Sequence, residues 1–301
     1  MSVPLNQGAA AHLSRKSTVL RSLAAELSCA CITIGTLTAS ATENPPDTSA
    51  VPSSSTQELA KEKHNPFADQ ITLPLQLSSD LDVGPGNGTV GGLNIQPTIP
   101  FSLGQDWKLI TRPSLSLLLS EQPNRKLGLG DLELQTYLTP ASAETWIWGA
   151  GPDLQAPTAT EHEFGTGKWS AGPALGLVYM NGPWVNGILA NHVWSFAGEH
   201  DRDAVSVSTF EPVISYNFES GWYLSFDSTI TADWQASANE RWTIPVGLDV
   251  GKTFQIGKPS LSLQFGTYYN VERAEGVGRW LVRFQVTLVL PKRAALPQIS
   301  P

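Results

Sequence analysis

From about residue 69 to residue 290 apolar and polar residues alternate along the chain. In the last such stretch, Trp280–Leu290, one face carries Trp280, Val282, Phe284, Val286, Leu288 and Leu290, and the other carries Leu281, Arg283, Gln285, Thr287 and Val289. A period of two is the period of a strand. Its eleven residues match what a tilted strand needs to cross the hydrocarbon core of a bilayer, about 9–11. The pattern returns upstream. Trp107, Leu109, Pro113, Leu115, Leu117 and Leu119 oppose Lys108, Arg112, Ser114 and Ser116. Leu132, Leu134 and Leu138 oppose Asp131, Glu133 and Gln135. Trp222, Leu224, Phe226, Ile230 and Trp234 oppose Tyr223, Ser225, Asp227, Thr229 and Asp233. Leu261, Leu263, Phe265 and Tyr269 oppose Ser262, Gln264 and Asn270. Twelve strands are predicted, at residues 69–80, 90–103, 107–119, 129–139, 145–157, 167–180, 184–196, 204–218, 222–234, 241–255, 259–271 and 279–290. A phase break between Val207 and Phe210 predicts a bulge in the eighth, and the seventh has no clear polar face.

These strands exceed the usual five or six residues. Short Gly-, Asn- or Pro-containing turns centred near residues 105, 142, 182, 220 and 257 recur every 37–40 residues, so the repeating unit is one long hairpin. A propeller blade would need four short strands in that length. Longer polar connections near 82–89, 121–126, 158–165, 197–203, 235–240 and 272–278 join the hairpins.

The ten tryptophans change the picture from a sheet to a membrane protein. Trp107, Trp146, Trp184 and Trp222 follow short turns, and Trp169, Trp194, Trp234, Trp242 and Trp280 adjoin long connections. Only Trp148 falls further inside. Two aromatic belts at opposite strand ends mark the two interfaces of a bilayer, because indole prefers the boundary between wet and apolar. The apolar face then meets lipid, and the polar face, with Lys108, Arg112, Asp131, Glu133, Asp153, Glu211, Asp227, Asp233, Asp249, Lys252 and Arg283, lines a lumen. No unpaired sheet edge survives in lipid, so the sheet must close. The expected fold is an all-β, antiparallel up-and-down transmembrane β-barrel of about twelve strands. An even strand number puts both chain ends on the short-turn side.

Composition agrees. Charged residues are 15% of the chain, against roughly 25% in a soluble domain. No run of 18 apolar residues exists, so no helix spans. The net charge of −8 disfavours nucleic acid. Arg15, Lys16 and Arg21, an apolar stretch over 23–37 and the small residues Ala39-Ser40-Ala41 read as an export signal over 1–41. Both cysteines, Cys29 and Cys31, fall within it. Residues 42–68 read as a disordered linker followed by a short periplasmic segment, with helical potential before Pro66. The barrel takes 69–292, and 293–301 form a tail.

Several motifs carry a resemblance. They are Asn65-Pro66-Phe67-Ala68-Asp69 with Leu73-Pro74-Leu75-Gln76, Gly151-Pro152 with Pro157-Thr158-Ala159-Thr160, and Gly165-Thr166-Gly167-Lys168-Trp169 with Gly172-Pro173. Asn191-His192-Val193-Trp194-Ser195-Phe196-Ala197-Gly198, Trp242-Thr243-Ile244-Pro245-Val246-Gly247 and Leu290-Pro291-Lys292 complete them. Together they resemble the bacterial outer-membrane barrels grouped as the MetA-pathway-of-phenol-degradation family, often mislabelled neuromedin U. The resemblance implies an outer-membrane location and transport of small organic compounds. The chain departs from many outer-membrane barrels in continuing past its last strand without a terminal aromatic residue.

Candidate chemistry is sparse. His12, His64, His162, His192 and His200 show no metal-ligand spacing, and no cofactor is implied. His192 and Ser195, three apart on a strand, fall on opposite faces, so no enzyme is expected. Rings of lumen charge set selectivity in pores, which leaves two readings. One is a monomeric channel that passes small, aromatic or hydrophobic organic molecules by passive flow. The other is a closed barrel that acts as an envelope scaffold or binds partners through its loops.

Overall fold

The computed structural model describes residues 56–84, 88–120, 125–143, 145–257 and 259–290. The expected export signal with Cys29 and Cys31, most of the linker and the tail from 293 lie outside these residues. One helix, α1 (Thr56–His64), precedes the strands β1 (Ile71–Val83), β2 (Gly88–Ile95), β3 (Ile99–Leu103), β4 (Trp107–Ser120), β5 (Lys126–Leu129), β6 (Leu132–Pro140), β7 (Trp146–Ala156) and β8 (Lys168–Asn181). There follow β9 (Trp184–Gly198), β10 (Ser206–Asn217), β11 (Trp222–Phe226), β12 (Ile230–Asp233), β13 (Trp242–Gln255), β14 (Ser260–Glu272) and β15 (Trp280–Leu290). Each pairs antiparallel with its neighbour, and β1 pairs with β15 from Ile71↔Leu290 to Leu81↔Trp280. That last pairing closes the sheet into a twelve-stranded barrel.

Three of the twelve predicted strands are interrupted. Gln96-Pro97-Thr98 separates β2 from β3, Gly130-Asp131 separates β5 from β6, and Asp227-Ser228-Thr229 separates β11 from β12. Opposite the last gap β10 carries Pro212 and β13 carries Pro245, which have no N–H to give a ladder. The predicted bulge in β10 is absent: its register to β9 runs unbroken from Ser206↔Trp194 to Tyr216↔Trp184. The sequence loses phase there because polar Ser206 and Ser208 sit on the outward side, paired with outward Trp194 and His192, while apolar Val207 faces inward against Val193.

The barrel is inside out. Along β14 the inward Ser260, Ser262, Gln264 and Asn270 are buried, while Phe265 and Tyr269 are exposed. All nine belt tryptophans point outward, and Trp148 joins the short-turn belt by packing edge-on against Trp107 at 6.0 Å. At the other end Trp242 meets Trp234 and Phe210, and Trp280 meets Tyr269. The short turns take left-handed glycine, as at Gly182 (φ 53°) and Gly221 (φ 81°).

The apolar core lies in the lumen, at the short-turn end, and the N-terminal segment fills it. A nine-residue helix is too short to persist in water, so α1 depends on the wall. Thr56 Oγ1 donates to the carbonyl of Glu219 at 3.0 Å, and Gln57 Nε2 to that of Asn217 at 2.8 Å. Glu58 in the first turn and Lys61, Lys63 and His64 in the last suit the helix dipole. The helix stops before Pro66, which disfavours helical geometry in the residue ahead of it. Asn65 Oδ1 accepts from the Phe67 amide at 3.0 Å and turns the chain. Phe67 then enters a nest of Ile110, Tyr137, Ile147, Ala174, Val178, Val185 and Leu189, with no exposed surface. The nest has room because β7 and β8 carry glycine beside it. A Cβ at Gly149 or Gly176 would lie 2.7 or 2.4 Å from the Phe67 ring.

Candidate functional site

Above this plug the lumen holds a cavity of about 500 Å³. Lys63, His64, Asn65 and Pro66 of the plug form part of its lining, together with Arg112, Glu133, Glu211, Asp227 and Arg283 from the wall. Two charge clusters occupy that wall.

The first centres on Arg283 of β15. Its Nε donates to Asp249 Oδ1 at 2.8 Å and its Nη2 to Asp249 Oδ2 at 2.5 Å. Nη1 donates to the main-chain oxygen of Asp227 at 2.8 Å, and the Asp227 carboxylate is an ion-pair partner. The Tyr268 hydroxyl accepts from Nη2 at 2.9 Å and donates to Asp249. Asp249 is fully buried. The plug touches this network, since Lys63 Nζ donates to Gln264 and Gln264 Nε2 donates to Asp227.

The second centres on Arg112 of β4. It donates to Gln135 Oε1 at 2.9 Å, to Gln96 Oε1 at 3.3 Å and to Glu211 at 3.1 Å. Gln135 Nε2 in turn donates to Glu133 at 2.9 Å. Asp153, fully buried, accepts from Asn191. Arg112, Arg283, Asp153 and Asp249 are buried, so each depends on its partners to offset its desolvation.

Other charged residues have other tasks. Lys108 Nζ donates to the Phe67 carbonyl and to Asp69, each at 2.9 Å, and so ties the plug to the wall. Asp131, at the break between β5 and β6, borders the cavity but is engaged by the amides of Ala159 and Thr166 and by the Thr166 hydroxyl. Asp233 accepts from the Gln235 amide at 2.9 Å and closes a turn. Lys252, expected in the lumen, faces outward. It pairs with outward Trp222, and its ammonium lies over the Trp222 and Phe254 rings at 5.2 and 5.3 Å. Its place near the short-turn end lets the charge reach the interface while the stem lies on the apolar wall.

His192 and Ser195 do not meet, and Ser195 Oγ instead accepts from the Val205 amide. His192 points outward beside Trp194 and bonds Ser208 Oγ at 2.7 Å, which also accepts from Trp234 Nε1 at 2.8 Å. Ser208 is 8% exposed. Sealed under two indoles, this hydroxyl is a buried polar patch of the aromatic belt.

Sequence reasoning missed the plug side of the site: Lys63, His64, Phe67, Gln264 and Tyr268. The signal that pointed to it was the Asn65-Pro66-Phe67 motif, a lone aromatic residue just ahead of the first strand. His64 is buried, and its Nδ1 lies 2.8 Å from the Ala60 carbonyl. A carbonyl only accepts, so Nδ1 carries the proton, and Nε2 is left to accept from Lys63 Nζ at 3.3 Å. Burial, reinforced by Lys63, holds the ring pKa well below 6.5. A released plug would regain the ordinary value. The seated state therefore keeps its full advantage above about pH 6.5 and loses it as pH falls below that value. The protection factor of the α1 amides, exchange taken relative to the intrinsic rate at each pH, should fall severalfold between pH 7.5 and 5.5, and His64→Gln should flatten that response. Equal protection factors at both pH values would sink the idea.

An apolar outer wall, two aromatic belts and a charged, plugged lumen define a transmembrane β-barrel. Its fold is shared with the COG4313 outer membrane channel from Pseudomonas putida F1, at 16% identity over 83% of this chain and 100% of that one, with a TM-score of 0.57. A weaker likeness joins it to the NanC porin (8% identity, 73% of this chain and 99% of that one, TM-score 0.49). Weaker still is that to outer membrane phospholipase A from Escherichia coli (15%, 74% and 93%, TM-score 0.38). No family model and no curated protein matches the chain.

Proposed function

We propose that this chain is a monomeric outer-membrane channel of the MetA-pathway-of-phenol-degradation type, exported through the periplasm, that passes small organic molecules by passive flow. The observation that carries this reading is the cavity. It lies inside a closed wall, is lined by charged side chains, and has as part of its lining a segment tied to the wall by hydrogen bonds and by the packing of Phe67. Residues 56–68 act as its gate. Arg112, Glu133, Glu211, Asp227 and Arg283 meet the solute, and the outer-membrane lipid is the partner of the outer wall. The packing of Phe67 favours a second reading, a permanently closed barrel that serves the envelope as scaffold. The two are separated by single-channel recording of the refolded chain in a planar bilayer. Discrete conductance steps are expected, with reversal potentials that move when Glu133 and Glu211 are replaced by Gln. A barrel that inserts in folded form yet stays silent at all voltages supports the scaffold.

A further inference from the structure

The two arginine clusters hold only part of the lumen wall. Between β15, which carries Arg283, and β4, which carries Arg112, lie β1 and β2, and neither brings a charge to the cavity. Here one inward row is uncharged across five adjacent strands. Gln264 of β14 pairs with Gln285 of β15, Gln285 with Gln76 of β1, Gln76 with Asn94 of β2, and Asn94 with Ser116 of β4. All but Gln264 border the cavity. Direct pairing sets their side chains side by side, about 4.8 Å from strand to strand. That is close to the separation of alternate hydroxyls on a sugar ring.

The row satisfies itself only in part. Asn94 Nδ2 donates to the hydroxyls of Ser114 and Ser116 at 3.0 and 2.9 Å, and Gln285 Nε2 donates to Thr287 Oγ1 at 2.9 Å. These bonds use amide donors and hydroxyl acceptors. They leave Asn94 Oδ1 and Gln285 Oε1 as acceptors, and the protons of Ser114 and Ser116 as donors. Gln76, in the middle, makes no side-chain hydrogen bond to any described residue, so both ends of its amide serve the cavity. The neighbouring charges engage one another, Arg112 with Glu211 and Arg283 with Asp227 and Asp249. Among the described residues no Phe, Tyr or Trp borders the cavity, so an aromatic solute has no ring to stack on. A hydroxyl is donor and acceptor at one oxygen, and a solute with several of them matches such a face at each contact. An ion would exchange water for uncharged groups. The cavity volume lies in the range of small-molecule sites, roughly 300–1,000 Å³.

We propose that the row Gln285–Gln76–Asn94–Ser116 is a binding face for a neutral polyhydroxylated solute, a monosaccharide or sugar alcohol. This rests on the channel reading and names the solute chemistry of that same cavity. The solute lies along the row, across the strands, with its hydroxyls accepting from Gln76 and Ser116 and donating to Asn94 and Gln285. Neutral hydrogen bonds of this kind hold a solute weakly, which suits a passage that must also release it.

The test is saturation-transfer NMR of glucose with the refolded full chain in deuterated detergent micelles, alongside osmotic swelling of vesicles that carry the same protein. Saturable transfer is expected, with a Kd on the order of millimolar. Tetrahydropyran-2-methanol, the same ring with one hydroxyl, should bind at least about tenfold more weakly, since several neutral hydrogen bonds are lost. Gln76→Leu and Asn94→Leu, close in volume to the residues they replace, should each weaken glucose about fivefold or more. Asp233→Asn, at a turn away from the row, should leave it unchanged. No transfer to glucose in the wild type overturns the binding face. So does equal binding of the stripped ring, or glucose binding that survives both leucine variants. The channel reading fails separately: glucose binding that depends on Gln76, in vesicles that never swell, leaves the face standing and removes transport. Circular dichroism and the heat-modified gel shift confirm that each variant is folded before titration.

Discussion

Deleting residues 56–68 should turn a narrow or intermittent conductor into a wide one, with unit conductance rising severalfold in planar bilayers. These residues occupy the lumen at the short-turn end, and their side chains fill what would otherwise be water. A barrel of eight strands leaves room only for its own side chains, and one of sixteen leaves an aqueous channel. At twelve strands the occupant decides. The smaller change Lys108→Met should act in the same direction with less effect. It removes the donor to Phe67 O and the ion pair to Asp69 while keeping the stem that packs beside them. Phe67→Ala should lie between the two, because the nest of Ile110, Ile147, Val178 and Leu189 loses its central ring. If the deletion variant inserts as a folded barrel and its conductance equals that of the wild type, the segment is not a gate. The lumen would then be blocked or opened elsewhere.

The outer wall of this barrel was legible in the sequence, and its contents were not. Lipid imposes one requirement on every outward residue, so Trp222, Leu224, Phe265 and Phe284 repeat the same message and period two stands out. The lumen imposes no single requirement. Where it holds charge, as at Arg112, Asp249 and Arg283, inward residues contrast with outward ones and the faces separate. Where it holds Phe67, inward residues are apolar as well. In β9 the inward Val185, Leu189 and Val193 are buried beside outward Trp184, Ile188 and Trp194, which is why that strand had no readable polar face. In β10 inward Val207 between outward Ser206 and Ser208 reversed the pattern locally. The breaks at residues 96–98, 130–131 and 227–229 were hidden for another reason. Gln96, Thr98, Asp227 and Thr229 keep alternating with their neighbours in type, while the backbone hydrogen bonds that define a strand leave no trace in side-chain polarity. Pairing among the charges was equally hidden. Which acids surround Arg283 and which surround Arg112 follows from register across strands far apart in sequence.

Arg283→Met should destabilise the folded barrel by about 3–5 kcal/mol, the usual cost of removing one partner from a buried ion pair. The guanidinium belongs to β15, the strand that closes the barrel on β1. It reaches Asp249 on β13 through two bonds and Asp227 at the break between β11 and β12 through both a carboxylate and a carbonyl contact. Without it Asp249 remains buried without its two guanidinium bonds, and Asp227 loses both its ion pair and the donor to its carbonyl. Surrounding structure has little freedom to compensate. A Cβ at Gly266 would already lie within 1.8 Å of Asp249 Oδ1, so the carboxylate fills the space beside β14. Urea titration of the refolded barrel in vesicles, followed by tryptophan emission, measures the loss. The double variant Arg283→Met with Asp249→Leu should recover most of it, because a desolvated pair replaced on both sides by apolar groups of similar volume is often close to neutral. Recovery would assign the loss to the stranded acid. A single variant as stable as the wild type would mean that water reaches Asp249 and that the cluster around Arg283 is wet, contrary to the burial that the closed barrel gives it.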